Sequence, residues 1–166
     1  TPPADLAALE AYASATSGAL SAMAMMVLGF TEGAPLRAAH LVGTAWALIG
    51  LMRAVGFHAQ AQRLYLPDDL LHGHSVDRRA LFDLKPSPAL NQVVRDVTRR
   101  AADLLAEARS LRGDVPRAAR CGLLLATLAD RHLSDMMRAD YDPFALPATA
   151  PAQPLRLTVQ SLLGRY

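Results

Sequence analysis

The chain has 166 residues, of which 52% are hydrophobic but only 5% aromatic, so aliphatic side chains and alanine must fill its core. This length predicts one domain, residues 1–166. Alanine and leucine favour helices, and the valine, isoleucine and threonine runs typical of strands are scarce. The formal net charge is only +2 and the basic residues are spread along the chain, which argues against a nucleic-acid partner.

The first predicted helix runs from about Leu6 to Leu28, with Asp5 as its N-cap. Its charge-free part raises the question of a membrane span. Serines and a threonine make the first half too polar for a span, so a buried core helix is the better interpretation. Met23, Met25 and Met26 are expected to fill gaps in the core, and a surface for an acyl or isoprenoid chain is the alternative.

The stretch Leu41–Asp69 is predicted to form one long apolar helix ending near Gln62, followed by a short extended turn. Small residues recur along it at helical spacing, so neighbouring helices can approach closely. Arg53 is the only charge inside residues 38–62. An arginine on an otherwise apolar helix needs a partner, so we expect an anion or a buried carboxylate beside it.

This stretch resembles the second aspartate-rich helix of the squalene/phytoene synthase family. The family pattern is Gln-x-x-Asn-x-x-x-Arg-Asp-x-x-x-Asp, followed by Gly-x-Arg-x-Tyr-Leu-Pro. The matching residues are Arg53, Arg63, Tyr65, Leu66 and Pro67. The resemblance implies an all-α, antiparallel helical bundle of the isoprenoid-synthase type. It also makes Arg53, Arg63 and Tyr65 candidates for binding a diphosphate or another anion.

The positions that bind metal in that family have lost their ligands here. The family's asparagine falls on Gly50 and its two aspartates fall on Ala54 and His58. Their spacing of four residues places the three in one column on a helix. In the family this column holds Mg²⁺, which prefers oxygen ligands that glycine, alanine and histidine do not supply. We therefore expect no metal, no cofactor and no catalytic residue here, and a column turned to solvent would count against this interpretation.

A second resemblance is to a divergent branch of the same superfamily, through the run Arg53-Ala54-x-x-Phe57-His58. That branch contains the phytoene-synthase-like assembly factors of mitochondrial respiratory complex I and related bacterial proteins. Further short matches cover nearly the whole chain: Leu9-Glu10-x-Tyr12-Ala13, Gly43-x-Ala45, Leu66-Pro67, His72-Gly73-x-Ser75 and Gln160-Ser161. The matches correspond to the C-terminal half of the family, and the family's first aspartate-rich motif has no counterpart here.

The resemblance leaves two functional interpretations open. The first is a non-catalytic pseudoenzyme that acts as a binding or assembly module, with respiratory complex I as a protein partner and an isoprenoid or lipid-like ligand in an apolar pocket. It would lie in the cytoplasm or peripherally on the inner membrane of a bacterium, or alternatively at the inner membrane in the mitochondrial matrix. The second is a prenyl transferase that condenses prenyl diphosphates. There an absent N-terminal half would supply the Mg²⁺ ligands, and Arg53, Arg63 and Tyr65 would hold the diphosphate.

The segment Asp68–Pro88 is predicted to be irregular, with at most one short helix near Ser75–Phe82 and Ser75 as its cap. His72 and His74 lie in this segment as His-x-His. Zinc would need further ligands nearby, so a solvated loop is the better interpretation.

Apolar residues follow the helical period from Pro88 to about Arg112, and a second such helix is predicted from Arg117 to Ala139. The polar face of the first one suggests the pairs Asp96–Arg100 and Arg99–Asp103. Asp103 and Glu107 also raise the question of a metal site, but their arginine neighbours favour a solvated face.

A single cysteine, Cys121, excludes an intrachain disulfide and is expected to be a small buried residue. The stretch Ala145–Pro154 is predicted to be an exposed linker, and Leu155–Leu163 a short closing helix before Tyr166.

Overall fold

The computed structural model describes residues 2–146, and within that range it is helical with no strand, which confirms the predicted all-α class. A π-helical turn, Ser14–Gly18, joins the first two α-helices, and 3₁₀ segments cover Leu111–Gly113 and Arg117–Leu123. The α-helices of this range are α1 Leu6–Ala13, α2 Ala19–Val27, α3 Gly33–Arg53, α4 Val55–Gln60, α5 Asp68–Gly73, α6 Arg78–Phe82, α7 Pro88–Ser110 and α8 Leu125–Arg138.

The first predicted helix forms as α1, the π turn and α2 in one run. Asp5 caps it as predicted, because its carboxylate accepts a hydrogen bond of 2.7 Å from the backbone N–H of Ala8. Ala13, Gly18 and Met25 are buried on its inner face. The five-residue step from Ala13 to Gly18 matches the i→i+5 hydrogen-bond spacing of a π-helix, so the π turn keeps these two buried residues on the side of the run that packs against α3.

Only one of the three clustered methionines fills the core as predicted. Met25 is buried, but Met23 and Met26 are about half exposed. The prediction was wrong for these two because they lie on the side of α2 that turns away from α3.

Helix α3 is the centre of the described bundle, where it packs against α7, the α1–α2 run and α8. It comes closest to the first run at Gly18 and Gly43. A Cβ atom on Gly43 would overlap the side chain of Ser21 and the carbonyl oxygen of Ser17, and a Cβ on Gly18 would lie 2.5 Å from Oγ1 of Thr44. The two helices can pack this closely only because both positions lack a side chain.

The single long helix predicted through Leu41–Gln62 is interrupted. α3 ends at Arg53, Ala54 adopts φ −92° and ψ 5°, and α4 follows. Two hydrogen bonds cross the interruption, from Ala54 N to Gly50 O at 3.0 Å and from His58 N to Ala54 O at 2.9 Å. The helical path therefore continues although the helix is kinked at Ala54.

The segment after Pro67 contains two short helices, α5 and α6, where at most one was predicted. The cap of α6 is Asp77, whose carboxylate accepts hydrogen bonds from the backbone N–H groups of Arg79 and Ala80. Ser75 has a positive φ of 56° and precedes the cap, so the predicted Ser75 cap is wrong.

Helix α7 forms where predicted, but its acidic and basic side chains pair with other elements. Arg100 donates two hydrogen bonds of 2.7 Å to the carboxylate of Glu10 on α1, and Asp96 lies 2.8 Å from Nε2 of His74. These contacts replace the predicted Asp96–Arg100 pair. The hydrogen bonds from Arg100 hold the pKa of Glu10 below its usual range.

The helix predicted to start at Arg117 begins as a 3₁₀ segment and becomes α-helical only at Leu125. The prediction for Cys121 was wrong, because its thiol is exposed. The 3₁₀ segment buries Ala119 and Leu123 instead and turns Cys121 outward.

The closing helix predicted at Leu155–Leu163, most of the Ala145–Pro154 linker and Tyr166 lie outside the described residues. Within residues 2–146 no helix has both the length and the apolarity needed to cross a membrane.

We expect Gly43→Ala to destabilise the protein, because the new methyl group must displace Ser21 or separate two helices. The loss should be about 2 kcal/mol, as for overpacked cores. Gly50→Ala is the matched control, since a Cβ there meets nothing within 4 Å. Alanine in the helix should raise stability by about 0.5 kcal/mol at that position. Urea unfolding measures both variants, and an equal effect of the two would contradict this account of the helix contact.

Candidate functional site

The residues Gly50, Ala54 and His58 stand one helical turn apart, as the two hydrogen bonds across the kink require. Gly50 is exposed, whereas Ala54 and His58 are partly buried. The Gly50 end of this column is therefore open to solvent in the described part of the chain, which counts against the interpretation at that position, whereas Ala54 and His58 are not fully turned outward. None of the three side chains supplies an oxygen ligand, so the column offers one imidazole where Mg²⁺ would need oxygens.

His58 packs among aromatic rings at the lower end of the column. Its ring centroid lies 4.6 Å from that of Tyr65, and Tyr65 stacks on Tyr12 at 6.5 Å. Nδ1 of His58 is buried and has no hydrogen-bond partner among residues 2–146. Burial, reinforced by the nearby charge of Arg63, lowers the pKa of His58. The imidazole is therefore neutral at pH 7.

A small cleft brings two of the three predicted anion-binding residues to His58. Arg63 and Tyr65 line the cleft together with His58. The remaining lining side chains are aliphatic or methionine: Leu51, Met52, Val55, Leu64 and Leu66. The cleft thus combines an apolar floor with one guanidinium, one phenol and one neutral imidazole.

The third predicted anion-binding residue, Arg53, does not line that cleft. Its Nη1 lies 3.3 Å from Nε2 of His132 on α8, and the ring of Trp46 lies 5.6 Å from the His132 ring. Burial, with help from Arg53, lowers the pKa of His132, and Asp135 opposes this effect. Because a guanidinium can only donate, Nε2 of a neutral His132 accepts the hydrogen bond and Nδ1 carries the proton.

Sequence reasoning missed His132 and Trp46. They lie 86 residues apart in the numbering, and neither belongs to a recognisable motif. The expectation that Arg53 needs a partner was correct, but one of its partners is a histidine rather than an anion or a carboxylate.

The histidines and carboxylates that raised a metal question have separate partners. His72 lies in α5 beside Asp68, and His74 pairs with Asp96. Glu107 on α7 pairs with Arg37 of α3 at 3.0 Å. Across residues 2–146, no three His, Cys, Asp or Glu side chains are grouped closely enough to hold a metal ion.

We expect His132 to make stability depend on pH. Its pKa in the fold is below the ordinary value of 6.5, so the unfolded chain binds the proton more readily. This contribution is fully present above pH 6.5 and is lost as pH falls through the lowered pKa. His132→Gln keeps an acceptor for Arg53 but cannot titrate. Urea unfolding between about pH 7.5 and about pH 5 should show a smaller loss of stability in the variant than in the wild type. Equal losses would contradict the neutral His132.

Several proteins of known identity are similar to this chain. Assembly factor 6 of NADH dehydrogenase (ubiquinone) complex I from Mus musculus is 29% identical over 160 residues, which cover 95% of this chain and 48% of that protein. The Homo sapiens protein of the same name is 27% identical over the same shares. Phytoene synthase from Thermus thermophilus is 29% identical over 137 residues, covering 82% of this chain and 47% of the enzyme. The chain thus spans about half the length of these relatives.

A solved structure has the same fold. The crystal structure of squalene synthase HpnC from Alicyclobacillus acidocaldarius superposes with a TM-score of 0.76 at 18% sequence identity. The match covers 84% of this chain and 54% of that one. The predicted isoprenoid-synthase-like fold is therefore confirmed.

The family model of squalene/phytoene synthases matches residues 1–160, which is nearly the entire sequence. Together with the shared fold and the relatives above, this match shows that the chain belongs to the squalene/phytoene synthase family.

Proposed function

We propose that this chain is part of a non-catalytic member of the squalene/phytoene synthase family that acts as a binding or assembly module. The observation that carries the proposal is the column of Gly50, Ala54 and His58. Its helical geometry is retained, but the side chains that would hold Mg²⁺ against a diphosphate are not. Ionisation of an allylic diphosphate releases negative charge that needs metal ions beside it.

The surrounding chemistry supports the same proposal. His58 is neutral and contacts an aromatic ring, so it is suited to packing. It could also bind a metal that prefers nitrogen ligands, but it is a poor ligand for Mg²⁺. Several carboxylates of the described bundle are engaged in ion pairs that join helices, as Glu10 is with Arg100 and Asp130 is with Arg109.

The partner that we propose is respiratory complex I or one of its assembly intermediates. The support is the similarity to assembly factor 6 of that complex, which extends over 95% of this chain. The apolar floor of the cleft formed by Leu51, Met52 and Val55 would suit an isoprenoid or lipid-like ligand. We propose that the protein lies in the cytoplasm or peripherally on the inner membrane of a bacterium. The alternative is the mitochondrial matrix, in association with the inner membrane.

The alternative is a prenyl transferase that condenses prenyl diphosphates. It is favoured by the similarity to phytoene synthase and by Arg63 and Tyr65, whose positions at the cleft would allow them to bind phosphate oxygens. In that case the half of the fold outside this chain would have to supply the Mg²⁺ ligands. Arg53 would have to reach the diphosphate from its place beside His132.

An activity assay distinguishes the two functions. The complete gene product that contains residues 1–166 is incubated with Mg²⁺ and either farnesyl or geranylgeranyl diphosphate, and extracted lipids are analysed by mass spectrometry. We expect no C30 or C40 condensation product, because the column cannot hold the metal. Thermus thermophilus phytoene synthase serves as the positive control. A product that disappears in an Arg63→Ala variant would establish the transferase instead.

A genetic experiment tests the assembly role. Deletion of the gene should lower NADH:ubiquinone oxidoreductase activity and cause partly assembled complex I to accumulate on native gels. Succinate dehydrogenase activity, which does not need complex I, is the control and should not change. The gene supplied in trans should restore the mature complex. Normal complex I in the deletion strain would contradict the proposal.

A further inference from the structure

The α1–α2 run is apolar on two opposite sides. Its inner side is buried against α3. Its outer face, which we define as Tyr12, Leu20, Met23 and Val27, carries large apolar side chains that are 51%, 64%, 53% and 88% exposed. The ring of Tyr12 also stacks on Tyr65, so the part of this face without a partner in the described residues is Leu20, Met23 and Val27. Isolated exposed apolar residues are ordinary in proteins, but a row of them along one helix marks a contact surface.

The π turn keeps this row on one side of the run, although the exposed Thr16 lies between Tyr12 and Leu20. Two turns of regular α-helix take about seven residues, so residues eight apart would drift out of line. The Ser14–Gly18 turn accommodates one more residue and brings Tyr12 into line with Leu20. The same turn aligns the buried Ala13 with Gly18 on the inner side. Both sides of the run are therefore aligned over its full length.

Beyond Glu10, which pairs with Arg100, the run carries no charge, since residues 11–31 contain no Asp, Glu, Lys or Arg. A helix at the protein surface normally presents charged or polar residues to water. A helix that lies on a membrane surface normally carries a strongly charged face, often rich in Lys and Arg, opposite its apolar one. The α1–α2 run fits neither case. Apolar sides in opposite directions are the pattern of a helix held between two layers of protein.

We propose that the outer face of α1–α2 is an internal packing surface that contacts a helix from the half of the fold lying outside these 166 residues. The match covers only 54% of the squalene synthase chain of the same fold, so nearly half of that chain lies outside the match. The contacting helix should present aliphatic or aromatic side chains and no charge, because Leu20, Met23 and Val27 offer no partner for one. The proposal concerns packing only and does not depend on the proposed function.

The test uses the complete gene product that contains residues 1–166, with Cys121→Ser to remove the exposed thiol. Met23→Cys places a thiol on the outer face, where it replaces a half-exposed side chain of similar character. Ala102→Cys on the exposed side of α7 is the accessible control, and Ala101→Cys, which is buried, is the protected control. Labelling with a maleimide is followed at each peptide by mass spectrometry.

We expect the thiol at position 23 to react at least about tenfold more slowly than the thiol at position 102, because it can react only through local opening. The thiol at position 101 should be protected as well. A thiol at position 23 that reacts as fast as the one at position 102 would overturn the proposal. Protection that appears only at high protein concentration would assign the face to a second copy instead. Protection that requires vesicles of phosphatidylcholine and cardiolipin would assign it to a membrane, and either result would also overturn the proposal.

Discussion

The close contact between α3 and the α1–α2 run is the constraint on which the rest of the described structure depends. Gly18 and Gly43 have no side chains at the point where the helices meet, and Ser17 and Ser21 occupy the space that a Cβ would need. This contact fixes one side of α3, while α7 and α8 occupy two others. Among the described residues, the side of α3 that carries Gly50 is not covered by another helix. The column begins at this open side and continues through Ala54 to His58 on α4.

This separation is what the proposed function requires, since the fold would have to persist without the metal ligands of the family. The residues that hold the helices together are glycines, aliphatic side chains and ion pairs between helices, such as Arg100 with Glu10. By the family resemblance the metal ligands would stand at Gly50, Ala54 and His58, of which Gly50 is exposed and His58 packs against Tyr65. Replacing oxygen-bearing side chains at these positions would remove the groups that bind Mg²⁺ but would leave the apolar core intact. Arg53, which the family pattern retains, has a structural contact with His132.

Much of the fold could be predicted from local sequence. The period of apolar residues located α7, and Asp5 before an apolar run located the start of α1. The π turn could not be predicted, because it depends on how α1–α2 packs against α3. The exposure of Cys121 and the pairing of Asp96 with His74 likewise depend on contacts that local spacing does not encode.

Part of the candidate site could be predicted from local sequence. The family pattern pointed to Arg63 and Tyr65, which lie close in sequence and line one cleft with His58. Their role in binding an anion stays a prediction. The pairing of Arg53 with His132 could not be foreseen, since it joins α3 to α8 across 79 residues. Contacts of that kind are set by the tertiary fold, and no motif in the sequence records them.

The central claim is that the column cannot hold Mg²⁺ because its side chains lack oxygen ligands. Isothermal titration with Mg²⁺ in the presence of inorganic pyrophosphate tests it directly, using the complete gene product and its Ala54→Asp/His58→Asp double variant. The account predicts no specific Mg²⁺ binding at the column in the wild type and an affinity at least about tenfold higher in the double variant. Tight binding by the wild type, or no change in affinity on adding the two carboxylates, would contradict it.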